Sequence, residues 1–311
     1  MRTVVISEKY DGKRIDRVLT DIFPHAPVSA IHKALRKKDI KANGIRIKND
    51  YIVHAGDVLD IYISDDILDG VPLGDSSEIN KGFTVVYEDK NILIVNKQQS
   101  VPVHPDREQA RGTLIELVQD YLAQKGEYLP GSFQSFPPAL CHRLDRNTGG
   151  LVIIAKNSES LKILLEKIKN KEIKKYYQCL VKGKMEKNRA ELRAFLTKDE
   201  KKSRVFVSDK KTRDSLEIIT KYRVLSYEND ISRLEIELVT GRTHQIRAHM
   251  AYIGHPVIGD GKYGTNAINR PLRAKFQALW AYKIKFDFKK DAGILNYLKG
   301  KQFEVKPEFQ Y

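Results

Sequence analysis

Hydrophobic residues near the start of the chain recur at the spacing of two amphipathic helices. In residues 14–23 and again in Val28–Lys38, apolar positions fall three or four residues apart, which is the period of a helix with one buried face. Ser29 suits the N-cap of the second helix. The apolar positions are Ile15, Val18, Leu19, Ile22 and Phe23 in the first helix and Ile31, Ala34 and Leu35 in the second.

Short strand-like segments follow these helices. Ile40–Ala42 and Ile45–Lys48 are joined by Asn43-Gly44, a dipeptide typical of tight hairpin turns. Val58–Ile63 then alternates apolar and polar residues, as a half-buried strand does. The pattern predicts a small module of two helices and a hairpin sheet.

The pattern changes to longer strands after about residue 80. Helical spacing is less frequent there and occurs at Thr113–Gln124, Ser158–Asn170 and Thr243–Ile253. We therefore expect an α+β fold with a large mixed, mainly antiparallel sheet and helices packed on it. The sequence has neither a GxGxxG after an early strand nor a GxxxxGK[ST], which disfavours a dinucleotide or P-loop fold. The predicted strands are Phe83–Tyr87, Ile92–Asn96, Leu151–Ala155, Tyr176–Val181, Ile218–Val224, Leu234–Leu238 and Trp280–Phe288.

An acidic, Gly- and Pro-containing segment separates these two patterns. DDILDGVPLGDSSE, residues 65–78, carries five acidic residues and no basic one. Such a composition is typical of a solvated linker. We expect a first domain at residues 1–65, a linker at 66–80 and a second domain at 81–311.

The overall charge points to a polyanionic partner. Of the 311 residues, 41% are hydrophobic, which is enough for a sizeable core, and the formal net charge is +15. Nucleic acid is the first candidate for the partner, although solubility alone also favours a charged surface. The charge is concentrated in residues 31–48, with a local net charge of +6 and Asp39 as the single acid. Its basic residues are Lys33, Arg36, Lys37, Lys38, Lys41, Arg46 and Lys48.

Cysteine content favours a reducing compartment, and the hydropathy pattern disfavours a membrane-spanning segment. Cys141 and Cys179 are the only cysteines and form no CxxC pair, so a disulfide framework and a cysteine-rich zinc site are disfavoured. No stretch approaches 18 apolar residues, and the first residues do not resemble a signal peptide. We expect a cytoplasmic protein without membrane contact, with a monomer as the default state.

A carboxylate among cationic residues marks the first candidate site. In CHRLDRNTGGL, residues 141–151, Asp145 lies among His142, Arg143 and Arg146. Opposite charge nearby favours the ionised form, which can act as a nucleophile or a general base. The alternative is a structural aspartate that caps the turn or pairs with an arginine.

Two further segments carry candidate chemistry. In TGRTHQIRAH, residues 240–249, Thr243 suits a helix N-cap, with Arg242 near the helix start and Arg247 in its first turns, an arrangement typical of an anion site. His244 and His249 are five residues apart and there is no HExxH, so no metal site is expected. In KKYYQCLV, residues 174–181, a tyrosine could stack on a base or simply pack in the core.

Taken together, these segments resemble the RluA-type pseudouridine synthase family. The matching motifs are VYEDKNILIVNKQQSVPVHP at 86–105, HRLDRNTGGLVIIAK at 142–156, KKYYQCLVKG at 174–183 and LVTGRTHQIRAHMAYIGHPVIGDGKYG at 238–264. The N-terminal module resembles the S-four-type RNA-binding domain through RIDRVL, VSAIHKALRKKDIKANG and HAGDVLDI, with Ala30 where that family often has a basic residue. The resemblance covers nearly the whole chain.

The resemblance assigns roles to individual residues. It implies that Asp145 of the HRLD motif is the essential nucleophile or base and that Arg247 of HQIR pairs with it. It also implies that Tyr177, rather than Tyr176, stacks on the uracil. Two departures from the family pattern are Gly149, where serine is usual, and Gln98, where proline is usual. The resemblance also suggests RNA contacts by the basic module and by Arg143, Arg146, Arg242 and His244.

The implied reaction is the isomerisation of specific uridines in RNA to pseudouridine within a central cleft, without metal, nucleotide or redox cofactor. Large-subunit ribosomal RNA is the first expected substrate and transfer RNA the second. A non-catalytic RNA-binding or ribosome-assembly protein would explain the basic module but not Asp145, Tyr177 and Arg247. A metal-dependent hydrolase is disfavoured because the sequence shows no second clustered carboxylate.

Overall fold

The computed structural model of the protein shows two compact units. One unit comprises Met1–Lys81 and Asp120–Ser135, and the other comprises Gly82–Gln119 and Phe136–Tyr311. The predicted linker at 66–80 lies outside the described residues, apart from Leu68. The structure describes residues 2–23, 26, 28–63, 68, 82–105, 111–131, 135–199 and 204–309.

The smaller unit contains the two predicted helices and the predicted hairpin. Helices α1 (Ile15–Ile22) and α2 (Val28–Lys37) pack on a sheet whose described strands follow the order β1-β4-β2-β3, antiparallel throughout. The turn between β2 and β3 has Asn43 and Gly44 at φ of 51° and 79°, the conformation that two-residue hairpin turns require. The strands are β1 (Arg2–Val5), β2 (Ile40–Ala42), β3 (Ile45–Arg46) and β4 (Val58–Ile61).

Two details of this unit differ from the sequence prediction. Strand β1 was not expected, because four residues are too few to show a period, yet it pairs with β4 along its whole length. Helix α2 begins at Val28, so Ser29 lies in its first turn rather than at the N-cap. The apolar faces of α1 and α2 meet β2 and β4 in a core that includes Ile15, Leu35 and Leu59.

The larger unit is built on a mixed, mainly antiparallel sheet, as predicted. Its described strands follow the order β11-β10-β12-β13-β9-β14-β8-β6-β5, with β15 paired to β14 and β7 to β8. The pairing of β14 with β8 is parallel and the other pairings are antiparallel. The strands are β5 (Phe83–Glu88), β6 (Ile92–Lys97), β7 (Ala139–Leu140), β8 (Gly149–Ala155), β9 (Ile173–Lys182), β10 (Arg189–Asp199), β11 (Arg204–Ser208), β12 (Leu216–Glu228), β13 (Ile231–Leu238), β14 (Leu279–Phe286) and β15 (Gln302–Glu304).

Besides 3₁₀ helices at Glu8–Tyr10 and Gly293–Leu298, the described part of the chain has four further α-helices. They are α3 (Leu114–Gln124), α4 (Ser158–Lys169), α5 (Gln245–Tyr252) and α6 (Asn266–Asn269). Helix α4 packs against β8, and its N-cap Asn157 accepts a hydrogen bond from the amide of Ser160. None of the helices in the described ranges is long and apolar enough to cross a membrane.

Packing around the central strand β8 explains Gly149 of the TGGL segment. All seven of its residues are buried, and it lies between β6 and β14. A Cβ at Gly149 would come within 2.5 Å of the Trp280 ring on β14. The departure from serine at position 149 is therefore matched by the bulky neighbour at position 280.

The sequence analysis did not predict strands β10 and β11, and the reason is physical. They form one end of the sheet, and β10 exposes or half-exposes most of its side chains. Its apolar positions are consequently interrupted by charged residues, and the apolar run that revealed β6 and β8 is missing. The predicted strands of the sheet centre are present, although β9 and β12 extend beyond the predicted bounds.

Candidate active site

A cavity of about 460 Å³ opens in the larger unit at the ends of β9 and β13. Its walls come from the 142–148 loop, from β9 and from the segment 237–247. Among the described residues, seven lysines and arginines but only two carboxylates line it, so the cavity is strongly cationic. Of the residues singled out from the sequence, it gathers Arg143, Asp145, Tyr177, Arg242, His244 and Arg247.

Asp145 lies in a tight turn between β7 and β8. The amide of Thr148 donates a hydrogen bond to the Asp145 carbonyl at 3.0 Å, which closes the turn immediately before β8 begins at Gly149. The carboxylate is left facing the cavity and is half-buried. The polar turn and the buried strand thus hold the Asp145 carboxylate at the cavity wall.

Arg247 joins this carboxylate to a second one. Its Nη1 donates to Asp145 Oδ2 at 2.8 Å, while its Nε and Nη2 donate to Asp260 at 2.6 and 3.0 Å. Asp260 is completely buried and also accepts the amides of Lys262 and Tyr263. The guanidinium plane is fixed by its paired bonds to Asp260, and the remaining nitrogen is directed at Asp145.

The electrostatics of this pair agree with the geometry. Burial opposes the charge of Arg247, but the hydrogen bonds and charges of Asp260 and Asp145 outweigh it and raise the pKa of the guanidinium. Burial likewise opposes ionisation of Asp260, yet Arg247 and the two amides lower the pKa of that carboxyl below its usual range. Arg247 and Asp260 are therefore a buried ion pair at neutral pH.

Tyr177 forms another part of the cavity wall. It is buried on β9, and burial, assisted by the negative charge of Asp145, raises the pKa of its phenol. The hydroxyl is thus neutral at physiological pH. Tyr176 points to the other face of the strand, where Lys283 lies 4.6 Å from its ring centre, and it does not line the cavity.

His244 lies beside the carboxylate without a hydrogen bond to it. Its Nε2 is 3.9 Å from Asp145 Oδ2, and its Nδ1 is 2.9 Å from the Tyr263 hydroxyl. Burial lowers the pKa of His244 to about 4, so the ring is neutral at pH 7. His244 also occupies the N-cap position of α5 at φ 53°, so the expected N-cap Thr243 was wrong. The positive φ places the ring, instead of a capping hydroxyl, at the helix start.

The three arginines expected to contact RNA, Arg143, Arg146 and Arg242, occupy different positions. Arg143 and Arg242 are exposed and line the cavity, where an anionic strand could reach both. Arg146 is half-buried and is absent from the described cavity lining. Its carbonyl accepts a hydrogen bond from Lys97, so the backbone of this residue helps fix the Asp145 turn.

Two residues of the site were missed by the sequence reasoning. Lys97 is completely buried and donates to the carbonyls of Gln98, Val101 and Arg146 at 2.7–2.8 Å. Burial lowers its pKa to about 7, against the attraction of Asp145. The second missed residue is Asp260. In the sequence, Lys97 follows the apolar run ILIV and one asparagine, and Asp260 lies within the HPVIGDGKYG segment. A charged residue adjoining a buried run needs specific partners.

The predicted basic residues of the N-terminal module belong to the smaller unit. Arg36, Lys37, Lys38 and Arg46 are exposed, and the ammonium of half-buried Lys41 lies 5.3 Å from the centre of the Tyr62 ring. The side chain of Lys33 is outside the described residues. Within the described part of the chain, no three His, Cys, Asp or Glu side chains cluster as a metal site would require.

Comparison with known proteins supplies the family. A profile of RNA pseudouridylate synthases matches residues 91–252, which contain Asp145, Tyr177 and Arg247. The chain belongs to this family. The predicted RluA-type pseudouridine synthase is thereby confirmed, and the protein is an isomerase.

Several named pseudouridine synthases are similar to this protein over most of its length. The uncharacterized RNA pseudouridine synthase YlyB of Bacillus subtilis is 30% identical over 285 residues, covering 91% of this chain and 89% of its own. Ribosomal large subunit pseudouridine synthase C of Vibrio cholerae is 31% identical over 264 residues, or 83% and 79% of the two chains. Ribosomal large subunit pseudouridine synthase D of Buchnera aphidicola is 33% identical over 253 residues, or 81% and 74%.

Solved structures show the same fold. Human RNA pseudouridylate synthase domain containing 4 aligns with a TM-score of 0.58 at 18% identity, over 75% of this chain and 90% of its own. Human RNA pseudouridylate synthase domain containing 1 aligns with a TM-score of 0.53 at 23% identity, over 68% and 81%. The α+β fold predicted from the sequence is therefore confirmed.

The Arg247–Asp260 pair generates a stability prediction. Asp260→Asn keeps the shape but leaves Arg247 with a broken buried ion pair, which typically costs about 3–5 kcal/mol. The pKa of Asp260 is lowered in the folded protein, so its contribution is present above the unfolded pKa of about 3.9 and is lost as pH falls through the folded pKa. The difference between wild type and Asp260→Asn should therefore be full at pH 7 and shrink below about pH 4.

Denaturant unfolding followed by the fluorescence of Trp280, the single and buried tryptophan, measures this difference. Asp214→Asn is the matched control, because Asp214 is exposed in the same unit, and it should change stability by less than about 0.5 kcal/mol. An Asp260→Asn deficit that stays constant from pH 7 to pH 3 would contradict the ionic origin.

Proposed function

We propose that this pseudouridine synthase modifies specific uridines of large-subunit ribosomal RNA, with Asp145 as its catalytic nucleophile or base. The observation that carries the role of Asp145 is its 2.8 Å pair with Arg247, formed in a cavity whose wall also contains Tyr177. The ribosomal substrate is supported by relatives named as large-subunit enzymes. The net charge of +15 suits a polyanionic substrate.

The reaction is an internal rearrangement of one nucleotide. The bond between N1 of uracil and C1′ of ribose breaks, the base rotates, and a bond forms between C5 and C1′. The proton at C5 leaves and N1 gains a proton, so atoms and electrons balance without a co-reactant. The base must leave the stack to reach Asp145, and a cavity of about 460 Å³ lined by an aromatic ring provides the space.

Each residue has a defined task in this scheme. Asp145 acts on the ribose carbon, on the uracil ring or on a sugar proton, and each of these roles requires an ionised, fixed carboxylate. Arg247 supplies the fixation, since Asp260 holds its other side. Tyr177 stacks on the uracil and, because its phenol is neutral, its hydroxyl can assist proton removal from C5.

The substrate is tested by tritium release from RNA that carries uridine labelled at C5. We expect release from large-subunit ribosomal RNA transcripts, with pseudouridine mapped at discrete positions that are lost in a deletion strain. Activity should persist in excess chelator. Release from transfer RNA alone would overturn the ribosomal assignment while leaving the enzyme class intact.

The role of Asp145 predicts a nearly inactive variant. Asp145→Asn preserves shape but removes the charge, so the single-turnover rate should fall by about 10³-fold or more. RNA binding should stay within a few fold of wild type. Substantial turnover, with deamidation to aspartate excluded by mass spectrometry, would contradict the assignment.

The two adjacent tyrosines provide a matched comparison. Tyr177→Phe retains the ring and loses the hydroxyl, and loss of proton-transfer assistance should slow the single-turnover rate by about 10²-fold or more. Tyr176→Phe should change the rate by less than a factor of about two, since Tyr176 faces away from the cavity. The opposite ranking would show that the hydroxyl at 176 is the one used.

The smaller unit is proposed as an S-four-type RNA-binding domain that supplies affinity rather than chemistry. Arg36, Lys37 and Lys38 are exposed together at the end of α2. Replacing all three with glutamine should reduce the salt slope of RNA binding by about 2–3 units, at 0.7–0.9 per lost phosphate contact. Turnover of a short stem-loop should be unchanged.

The control removes the same charge from the other unit by replacing Lys187, Lys210 and Lys211, all of which are exposed. The RNA-binding constants of both triple variants are measured between about 50 and 300 mM salt, and their dependence on salt concentration gives the two slopes. Equal slopes for the two triple variants would show that only the overall field matters.

A further inference from the structure

Lys175 shares the cavity wall with Tyr177. The two residues are two positions apart on β9, so their side chains leave the strand on the same face, and both line the cavity. Two strand residues span about 7 Å, so Lys175 and Tyr177 are neighbours on that face. A nucleotide whose base rests on Tyr177 therefore has its neighbouring groups near Lys175.

The Lys175 ammonium is unpaired within the described part of the chain. No hydrogen bond or ion pair involves its Nζ, whereas Lys174 pairs with Asp287 at 3.3 Å and Lys221 pairs with Glu191 at 3.3 Å. Lys97 shows what a satisfied buried lysine has, since it donates to three carbonyls. Burial lowers the pKa of Lys175, and no neighbouring group counteracts it.

The adjacent imidazole provides no counter-charge. His142 accepts a hydrogen bond from the amide of Ile153 through Nε2, at 3.2 Å, which leaves the proton of the neutral ring on Nδ1. Burial and the charge of Lys175 lower the pKa of His142 well below its usual value, so the ring is uncharged at pH 7. Its Nδ1 is buried without a partner. His142 therefore offers the Lys175 ammonium neither a negative charge nor a free acceptor.

The loop beside Lys175 leaves access to the ammonium. A Cβ added at Gly241 would meet only Lys175 Nζ, at 3.9 Å, so the ammonium lies against a loop position that has no side chain. Exposed Arg143, Arg242 and Lys171 line the same cavity. A negatively charged group that enters along these residues reaches Lys175 without displacing a protein partner.

The chemistry of the substrate identifies that group. Uracil and ribose are uncharged near neutral pH, so phosphodiester groups are the only anions that an RNA strand offers. A partly buried, unpaired cation gains most from a charged acceptor, because its water has already been removed. We propose that Lys175 binds a phosphate next to the uridine whose base rests on Tyr177, and so sets the position of that nucleotide over Asp145. This inference rests on the proposed function.

The test compares uridine with uridine 3′,5′-bisphosphate, which differ only in their phosphates. Binding of each to full-length wild type, Lys175→Met and Lys187→Met is measured by calorimetric titration. Lys187 is an exposed lysine of the same unit that does not line the cavity, so its variant removes the same charge elsewhere. We expect Lys175→Met to weaken bisphosphate binding by about 10- to 100-fold, the effect of one charge-assisted hydrogen bond.

Uridine affinity should be unchanged in Lys175→Met, and Lys187→Met should leave both affinities unchanged. Equal binding of uridine and the bisphosphate by wild type would overturn the proposal, as would a wild-type bisphosphate affinity in Lys175→Met. An equal loss of both ligands would overturn it too, because Lys175 would then contact the nucleoside or support the fold. Lys175→Gln serves the same comparison if the Met variant fails to fold.

Two further readouts separate binding from structure. Because the ammonium has no protein partner in the described chain, Lys175→Met should unfold at the same temperature as wild type or higher, whereas a structural lysine would lower it. On ribosomal RNA transcripts the salt slope should fall by about 0.7–0.9. Tritium release by wild type is measured in parallel, and its absence would contradict the proposed function without altering the bisphosphate comparison.

Discussion

The ion pair between Arg247 and Asp260 is the constraint on which the site depends. Asp260 is completely buried and receives four hydrogen bonds, two from Arg247 and two from backbone amides. Such a pair is costly to bury and is retained only when its geometry is well satisfied. Here it fixes the one guanidinium nitrogen that is left over, and that nitrogen holds Asp145. Segments more than a hundred residues apart in the sequence are thereby joined at one cation.

Three of the other titratable groups at the cavity are kept neutral by burial. Tyr177 has a raised pKa, and His142 and His244 have lowered ones, so none of the three carries charge at pH 7. Asp145 is therefore next to a cation but not next to competing anions or imidazolium ions. Arg247 is consequently the one charged group within hydrogen-bond distance of this carboxylate among the described residues.

Much of this site could be predicted from the sequence because its residues lie in short, distinctive segments. Apolar runs marked β6 and β8, and strand alternation placed Tyr177 and Tyr176 on opposite faces. Asp260 and Lys97 were missed because their roles arise only from three-dimensional pairing, with partners 13 and 49 residues away. The N-cap of α5 was misplaced for a related reason, since the helix start follows His244 in a left-handed conformation that residue type does not reveal.

The cations at and near the cavity are of two kinds: some maintain the fold, and others are available to a ligand. Arg247 is bound on both sides by carboxylates, and Lys97 is saturated by three carbonyls. Both residues are bound by protein groups before any substrate arrives, so their interactions contribute to the stability of the fold. Lys175 differs, since desolvation lowers its pKa while no described partner offsets the cost. A folded protein retains such a cost where a ligand later compensates for it, and in our proposal that ligand is an RNA phosphate next to the target uridine.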